Sequence, residues 1–261
     1  MVWFNYCFDY LFGLWRFAIL SCGSKSTKFN DCESTSKFAS GHLFGTDQFG
    51  RDLLARTLYG TRLSLLIAVS ATAIEFGIGI SYGLISGWKG GKTDLYMQRF
   101  VEFISSIPTL VIVILMLLVF KPGVTSILIA MGLTGWITMS RVIRAETIKL
   151  KQQEFVTAAI ILGEKPTQIA RHHLLPNLMD VILTQMMLNI PAAIFFESFL
   201  SFIGIGIQVP NASLGSLLSE GYQVFRLTPH VLIFPSIILC LLMIFFNLFG
   251  HGLRDVLDPK I

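Results

Sequence analysis

The sequence predicts an all-α membrane protein with about six transmembrane helices. Of its 261 residues, 53% are hydrophobic and only 14% are charged, whereas about 25% of the residues of a soluble domain are charged. Apolar runs near the 20 residues that a helix needs to cross a bilayer recur along the chain. The net charge of +4 is a modest excess, so nucleic-acid binding is not indicated and the lipid bilayer is the expected partner.

The first 60 residues combine a weak apolar segment with a polar loop. Residues 1–22 are aromatic and apolar, but Asp9 and Arg16 interrupt them. No basic residue precedes the apolar part, which argues against a signal peptide. We expect either a weak first helix here or an N-terminus that is truncated or altered, followed by an external loop over residues 23–60.

This loop ends in a signature of six positions whose residue types suit a structured turn. Glycine permits tight turns, aspartate accepts hydrogen bonds from turn amides, and arginine pairs with a carboxylate. The six positions are Gly45, Thr46, Asp47, Gly50, Arg51 and Asp52. All six match the G-T-D-x-x-G-R-D signature of permease subunits of ATP-driven importers, in their dipeptide, oligopeptide and nickel branch, which this chain resembles. We call residues 45–52 the signature loop.

Five further spans are predicted from the apolar runs. They are expected at residues 63–87, 103–120, 124–140, 181–207 and 231–249, with an external loop over 208–228. Pro108 would kink the second of these spans. The short turn at residues 121–123 makes the second and third an antiparallel helical hairpin.

Two glutamates lie inside predicted spans. Glu75 is surrounded by small residues, which let membrane helices approach closely. Because intramembrane charges face the bundle interior or a water-filled path, Glu75 has either a structural role or a contact with substrate. Glu197 opens the sequence E-S-F-L-S-F-I-G-I-G, which resembles the E-A-x-L-S-F-L-G-L-G segment of the peptide and nickel permeases.

A polar interlude from Glu154 to Pro176 predicts a helix, a turn and a short helix. Apolar residues recur at steps of three and four at its start, and Gly163 is placed to end the first helix in a left-handed conformation. A second helix would begin near Pro166 and end by Pro176. We call residues 154–176 the EAA-like segment.

The spacing of this segment resembles the E-A-A loop of the same permeases. The residues assigned to the loop are Glu154, Thr157, Ala158, Ala159, Gly163, Leu175 and Pro176, and the family spacing is kept from Ala159 through Pro176. Thr157 stands where the family usually has glutamate, and His173 where it often has isoleucine. In that family the loop is the coupling helix, which docks into a cleft on the cytoplasmic ATPase subunit.

Enzymatic motifs are not evident in the sequence. Residues 86–93 nearly spell a phosphate-binding loop, but Ser86 stands where the first glycine is needed and an apolar helix precedes it instead of a strand. The four cysteines form no C-x-x-C pair, and the histidines and cysteines lack zinc spacing. We predict a transport subunit that is not an enzyme and binds no cofactor or metal, with a basic cytoplasmic turn around Lys92.

The distribution of lysine and arginine predicts the orientation. If the EAA-like segment faces the cytoplasm, eleven of the twenty basic residues lie inside. Both termini are then cytoplasmic. We expect an N-terminal part at 1–60, a permease domain at 61–253 with its cytoplasmic coupling loop at 146–177, and a tail at 254–261.

The resemblance, which covers about residues 42–261, implies a type I importer permease fold in the plasma or inner membrane. It implies that the chain forms half of a translocation path for peptides. The implied partners are a second similar permease, two ATPase subunits that hydrolyse ATP, and an extracytoplasmic binding protein. A nickel or other small-solute importer is the alternative. A secondary transporter would use Glu75 and Glu197 for ion coupling, but no inverted repeat is visible.

Overall fold

The computed structural model describes residues 43–120, 123–207 and 211–257. In these ranges the chain is helical, and the only β-pairing is an isolated antiparallel bridge between Thr46 and Asp52. The first span predicted within residues 1–22 lies outside the described residues.

Helices follow one another along the described chain with short connections. They are α1 (Leu53–Lys89), α2 (Gly91–Ser105), α3 (Thr109–Val119), α4 (Val124–Thr134), α5 (Trp136–Lys151), α6 (Glu154–Ile161), α7 (Pro166–Ile169), α8 (Leu175–Asn177), α9 (Met179–Phe202), α10 (Leu214–Gln223) and α11 (His230–Leu257). A π-helical turn, Ala170–Leu174, connects α7 to α8.

Four helical stretches among the described residues are long and apolar enough to cross a membrane. They are α1, α4 continued by α5, α9 and α11. Helices α2 and α3 form a fifth if they count as one broken span, because they are bent by 76° relative to each other. The break ends at Pro108, so the predicted kink is confirmed. The predicted turn around Lys92 is wrong, since Lys92 lies in the first turn of α2 and only Gly90 separates α1 from α2.

The predicted pairing of the helices on either side of residues 121–123 is confirmed, since α3 and α4 pack against each other. Helices α4 and α5 are separated only by Gly135, which itself has helical dihedral angles. The chain from Val124 to Lys151 is therefore nearly one continuous helix with a local break.

A row of glycines on α1 lets α5 approach its backbone. Gly79, Gly83 and Gly87 are four residues apart and share one helix face. A Cβ atom on Gly83 would lie 2.7 Å from the carbonyl oxygen of Ser140, and one on Gly87 would lie 2.9 Å from that of Arg144. Any larger side chain here would push the two helices apart, as expected for small residues between membrane helices.

The predicted external loop at 208–228 is wrong for its central part, because residues 214–223 form α10. The start of α10 is fixed by a reciprocal cap. The Oγ of Ser213 accepts from the backbone N–H of Ser216 at 3.2 Å, and the Oγ of Ser216 accepts from the N–H of Ser213 at 2.8 Å. This pair satisfies two backbone donors that a helix start otherwise leaves free.

Contacts divide the chain into two units. One contains residues up to Leu66 together with Ser198–Leu241, and the other contains Ile67–Glu197 with Leu242–Ile261. The signature loop and α10 lie in the first unit. The EAA-like segment and Glu75 lie in the second unit.

Candidate coupling segment and signature loop

The first half of the EAA-like segment ends in a left-handed turn. Gly163 has a φ of 80°, so the conformation predicted there is confirmed. Its N–H donates to the carbonyl oxygen of Ile160 at 3.0 Å, and the N–H of Glu164 donates to that of Ala159 at 3.1 Å. These two bonds form a Schellman motif, in which glycine avoids the strain that a Cβ atom would cause.

The second half begins as predicted and ends later than predicted. Pro166 is the first residue of α7, where its missing N–H is tolerated. The expectation that the helix ends by Pro176 is wrong. A π-helical turn widens the chain before Pro176, which then lies in the first turn of α8. A proline in a first turn removes no helical hydrogen bond, so helical structure continues to Asn177.

An apolar core anchors the EAA-like segment to α1 and α5. Val156, Ala159, Ile169 and Leu174 are buried, with Leu178 just beyond them. They form one cluster, which also contains Phe76 of α1 together with Met139 and Ile143 of α5. The segment is therefore held in a fixed position by side chains from both of its halves.

The tip of the segment exposes large apolar side chains. Ile161 is 79% exposed and Leu162 is 81% exposed, and Phe155 and Ile160 are also exposed. Of the residues that match the family motif, Ala159 is buried and Leu175 is half-buried, whereas the others are exposed: Glu154, Thr157, Ala158, Gly163 and Pro176. Clustered apolar side chains on a surface are typical of a contact with another protein.

The two departures from the family pattern lie on this segment. The Thr157 hydroxyl donates a local hydrogen bond to the carbonyl oxygen of Gln153 at 3.3 Å. Because threonine is neutral, this position cannot form the salt bridge that a glutamate could. His173 lies with its Nε2 3.2 Å from Glu164 Oε2, which links the two halves of the segment. The sequence pattern did not indicate Glu164 as a contact of His173.

The signature loop is folded around the carboxylate of Asp47, whose side chain is only 2% exposed. Its Oδ1 accepts from the backbone N–H groups of Phe49 and Arg51, both at 2.9 Å, and the Nε of Arg51 donates to Oδ2 at 2.7 Å. The predicted turn bonds and the predicted arginine pairing are both confirmed. Gly45 and Gly50 have φ values of 76° and 71°, which only glycine adopts readily.

Asp52 ends the signature loop and begins α1. Its Oδ1 accepts from the backbone N–H of Leu54 at 3.0 Å, which is the usual interaction of an N-cap aspartate. The backbone oxygen of Thr46 lies 3.2 Å from the Nε2 of His230 at the start of α11.

An arginine outside the signature motif connects the loop to α10. The guanidinium of Arg56 donates to Asp47 Oδ2 at 2.7 Å and binds both carboxylate oxygens of Glu220, at 2.7 and 3.0 Å. Planar two-point pairing of this kind is strong and directional. The sequence analysis missed Arg56 and Glu220, because residues 164 positions apart give no local pattern.

The intramembrane glutamates are both buried, in different surroundings. Glu75 is 4% exposed, and its Oε2 accepts from the amide of Asn189 on α9 at 3.0 Å. The Glu75 carboxylate also lies directly against Gly135, where a Cβ atom would overlap it. Glu197 is fully buried near the end of α9.

The stretch that resembles a phosphate-binding loop is involved in a contact between helices. Ser86 donates to Asp94 at 2.5 Å, and Arg144 of α5 binds both oxygens of Asp94 at 2.6 Å. These bonds connect α1, α2 and α5 around the turn at Gly90.

The long apolar helices and the exposed segment anchored beneath them define a membrane-embedded subunit of a transport complex. Residues 79–261 match the family described as binding-protein-dependent transport system inner membrane component, and the chain belongs to this family.

Curated relatives and a solved structure agree with this assignment. The chain is 44% identical over 236 residues to the oligopeptide transport system permease protein OppC of Haemophilus influenzae, covering 90% of this chain and 76% of that protein. It is 44% identical over 225 residues to the dipeptide transport system permease protein DppC of Bacillus subtilis, covering 85% of this chain and 70% of that protein. The structure of the MetNI methionine ABC transporter in inward-facing conformations has a TM-score of 0.65 at 16% identity, covering 79% of this chain and 98% of that one. The predicted type I importer permease fold is confirmed.

Proposed function

We propose that this chain is one of two permease subunits of an ATP-driven importer of short peptides, and that the EAA-like segment couples it to an ATPase subunit. The relatives described above, which are named as oligopeptide and dipeptide permeases, support peptides as the substrate class. The exposed apolar tip of the EAA-like segment, on a base anchored to α1 and α5, carries the coupling role.

Coupling requires a rigid segment that transmits movements of the ATPase to the membrane helices. Buried side chains from both halves of the segment pack on α1 and α5, so a displacement of the tip would move these helices with it. Ile161 and Leu162 are largely exposed to water, and a cleft on the ATPase would bury them. Each fully buried side chain of this size gains about 1.5–3 kcal/mol.

The proposed orientation follows from α1. With 37 residues and a rise of 1.5 Å per residue, α1 is about 55 Å long, so the signature loop and the turn at Gly90 belong on opposite sides of a bilayer. The excess of basic residues assigns the turn at Gly90 and the EAA-like segment to the cytoplasm. The signature loop then faces outward, toward an extracytoplasmic binding protein. With the first span predicted within residues 1–22, both termini are cytoplasmic.

ATP would be hydrolysed by two cytoplasmic ATPase subunits, and this chain would bind no cofactor. A second, similar permease would complete the translocation path. In this assignment the chain contributes substrate passage and mechanical coupling.

A substitution at Gly163 tests the coupling role. Among the described residues, no atom beyond the two chain neighbours lies within 4 Å of a Cβ atom built at Gly163. Gly163→Val therefore adds mainly backbone strain of about 1–2 kcal/mol. We expect the variant to insert into the membrane and to lose the co-purifying ATPase and peptide uptake. Gly91→Val is the control, since Gly91 also has a positive φ, 56°, and equally open surroundings.

Retention of the ATPase at the wild-type level by Gly163→Val, with normal uptake, would contradict the coupling role. The substrate class is tested separately in cells that lack this chain. Restoration of labelled dipeptide or tetrapeptide uptake is expected when the chain is supplied. Restoration of radiolabelled nickel uptake without peptide uptake would overturn the peptide assignment.

A further inference from the structure

Two adjoining cavities form a polar groove along the α4–α5 helix in the second unit. They have volumes of about 200 and 190 Å³ and share the lining residues Thr109, Thr134 and Thr138. Each is smaller than the 300 Å³ or so at which small-molecule sites begin, and the two together reach that size.

A carboxylate lies at one end of the groove. Glu75 lines the first cavity together with Asn189 and Gly135. Its Oε2 accepts from the amide of Asn189 at 3.0 Å, whereas a carboxylate has capacity for about four hydrogen bonds. The Glu75 carboxylate is therefore able to accept further donors from a molecule in the cavity.

A guanidinium lies at the other end. Arg141 lines the second cavity and donates to Ser105 Oγ at 3.1 Å, which uses one of its five N–H groups. Thr134, Thr138 and Arg141 are spaced by four and three residues, so they lie along one face of the helix. The groove thus has an acidic end, a hydroxyl-lined middle and a basic end.

The separation of the two ends is set by the helix. Gly135, against which the Glu75 carboxylate lies, is six residues from Arg141, which corresponds to about 9 Å along the axis. An extended peptide spans about 3.3–3.6 Å per residue, so about three residues fit this distance. The flexible side chain of Arg141 extends the range to somewhat shorter and longer peptides.

We propose that this groove is an intramembrane binding site for the two charged ends of a short peptide. Glu75 binds the terminal ammonium group, Arg141 binds the terminal carboxylate, and the threonine hydroxyls pair with the peptide groups between them. A buried charge inside a bilayer requires a partner of opposite charge, which the peptide's ammonium group supplies to Glu75. The guanidinium of Arg141 is exposed and therefore accessible to the peptide's carboxylate. The inference rests on the proposed peptide importer and names the residues that recognise its substrate.

The test uses the complex of this chain with its second permease and ATPases, in nanodiscs and without the binding protein. Binding of labelled trialanine is measured in competition with unlabelled trialanine, N-acetyl-trialanine and trialanine amide. For the wild type we expect free trialanine to bind at least ten-fold more tightly than either capped form. Glu75→Gln should abolish the preference over the N-acetyl form only, and Arg141→Gln the preference over the amide only.

Controls separate recognition from folding. Arg99→Gln and Glu102→Gln change an exposed ion pair on α2 (side chains 72% and 56% exposed) that does not line the groove, and they should preserve both preferences. Co-purification of the ATPases reports assembly, and Glu75→Asp should restore part of the preference over the N-acetyl form.

Three results would overturn the inference: absence of saturable trialanine binding to the wild type, retention of both preferences in both variants, or equal loss of both preferences in Glu75→Gln. The last result would assign Glu75 to holding α1, α5 and α9 together. The proposed function is judged by peptide uptake of the complete wild-type importer with its binding protein. Uptake without groove binding refutes only the groove.

Discussion

The signature loop and the EAA-like segment are both short connections beside long apolar helices, yet opposite interactions hold them. The signature loop is held by charges, with Asp47 buried between Arg51 and Arg56, and Arg56 bound to Glu220. The EAA-like segment is held by apolar packing on α1 and α5, and its polar contact between Glu164 and His173 is at its surface.

This difference indicates what each region needs from outside the chain. The Asp47 carboxylate accepts hydrogen bonds from donors within the same unit. The signature loop therefore needs no other protein to satisfy this buried charge. The EAA-like segment leaves Ile161 and Leu162 in contact with water. A region that is firmly anchored on one side and apolar on the other is suited to binding a second protein.

The largest effect is expected for Asp47→Ala. Removing this carboxylate deprives two backbone N–H groups and two guanidinium groups of their acceptor. Removal of one partner from a buried pair costs about 3–5 kcal/mol, and we expect the lower end, since Arg56 keeps Glu220. The unfolding temperature of the purified complex should fall by several degrees, while the ATPase remains bound before heating.

The matched control is Glu102→Ala, which removes a carboxylate from an exposed pair with Arg99. Such pairs contribute about 0–1 kcal/mol, so its unfolding temperature should stay close to the wild type. Similar unfolding temperatures for Asp47→Ala and Glu102→Ala would break the comparison, because the signature loop would not depend on its buried charge.

The sequence predicted the elements whose signals are local. Four of the predicted spans were found from their apolar runs, the break near Pro108 from proline chemistry, and the turn at Gly163 from the need for a left-handed residue. The bonds of Asp47 to the backbone of Phe49 and Arg51, and its pairing with the Arg51 side chain, were foreseeable for the same reason, since these partners are at most four residues away.

The missed features depend on residues that are distant in the chain. Arg56 with Glu220, and Glu75 with Asn189, are pairs that only the packed helices bring together. Helix α10 had a local signal, the serines at 213 and 216 that cap it, but its few apolar residues resembled a loop. The spacing of Thr134, Thr138 and Arg141 was also visible, although a polar stripe on one helix does not show what faces it.

We expect the two alanines of the family motif to have different roles: Ala159 packs in the core, and Ala158 contacts the ATPase. Ala159 is 3% exposed inside the apolar core and Ala158 is exposed. Ala159→Leu overfills the core, which typically costs about 1–3 kcal/mol, and should lower the unfolding temperature. Ala158→Leu should leave the unfolding temperature unchanged and reduce the amount of ATPase that co-purifies.

Each alanine variant is the control for the other, because the same side chain is added one residue apart. The distinction between the anchored and the docking side of α6 would be lost if Ala158→Leu destabilised the protein as much as Ala159→Leu. It would also be lost if Ala158→Leu kept the ATPase at the wild-type level.

The smallest effect is expected for Glu164→Gln. The side chains of Glu164 and His173 are 35% and 32% exposed and lie 3.2 Å apart, and a pair that water reaches contributes about 0–1 kcal/mol. The variant should change the unfolding temperature by no more than the control Glu146→Gln, whose pair with Lys149 is also accessible to water. Because the apolar core and Gly163 are unchanged, the co-purifying ATPase should stay within two-fold of the wild type. A loss of more than ten-fold without destabilisation would mean that Glu164 binds the ATPase directly, and docking would then depend on charge as well as on the apolar tip.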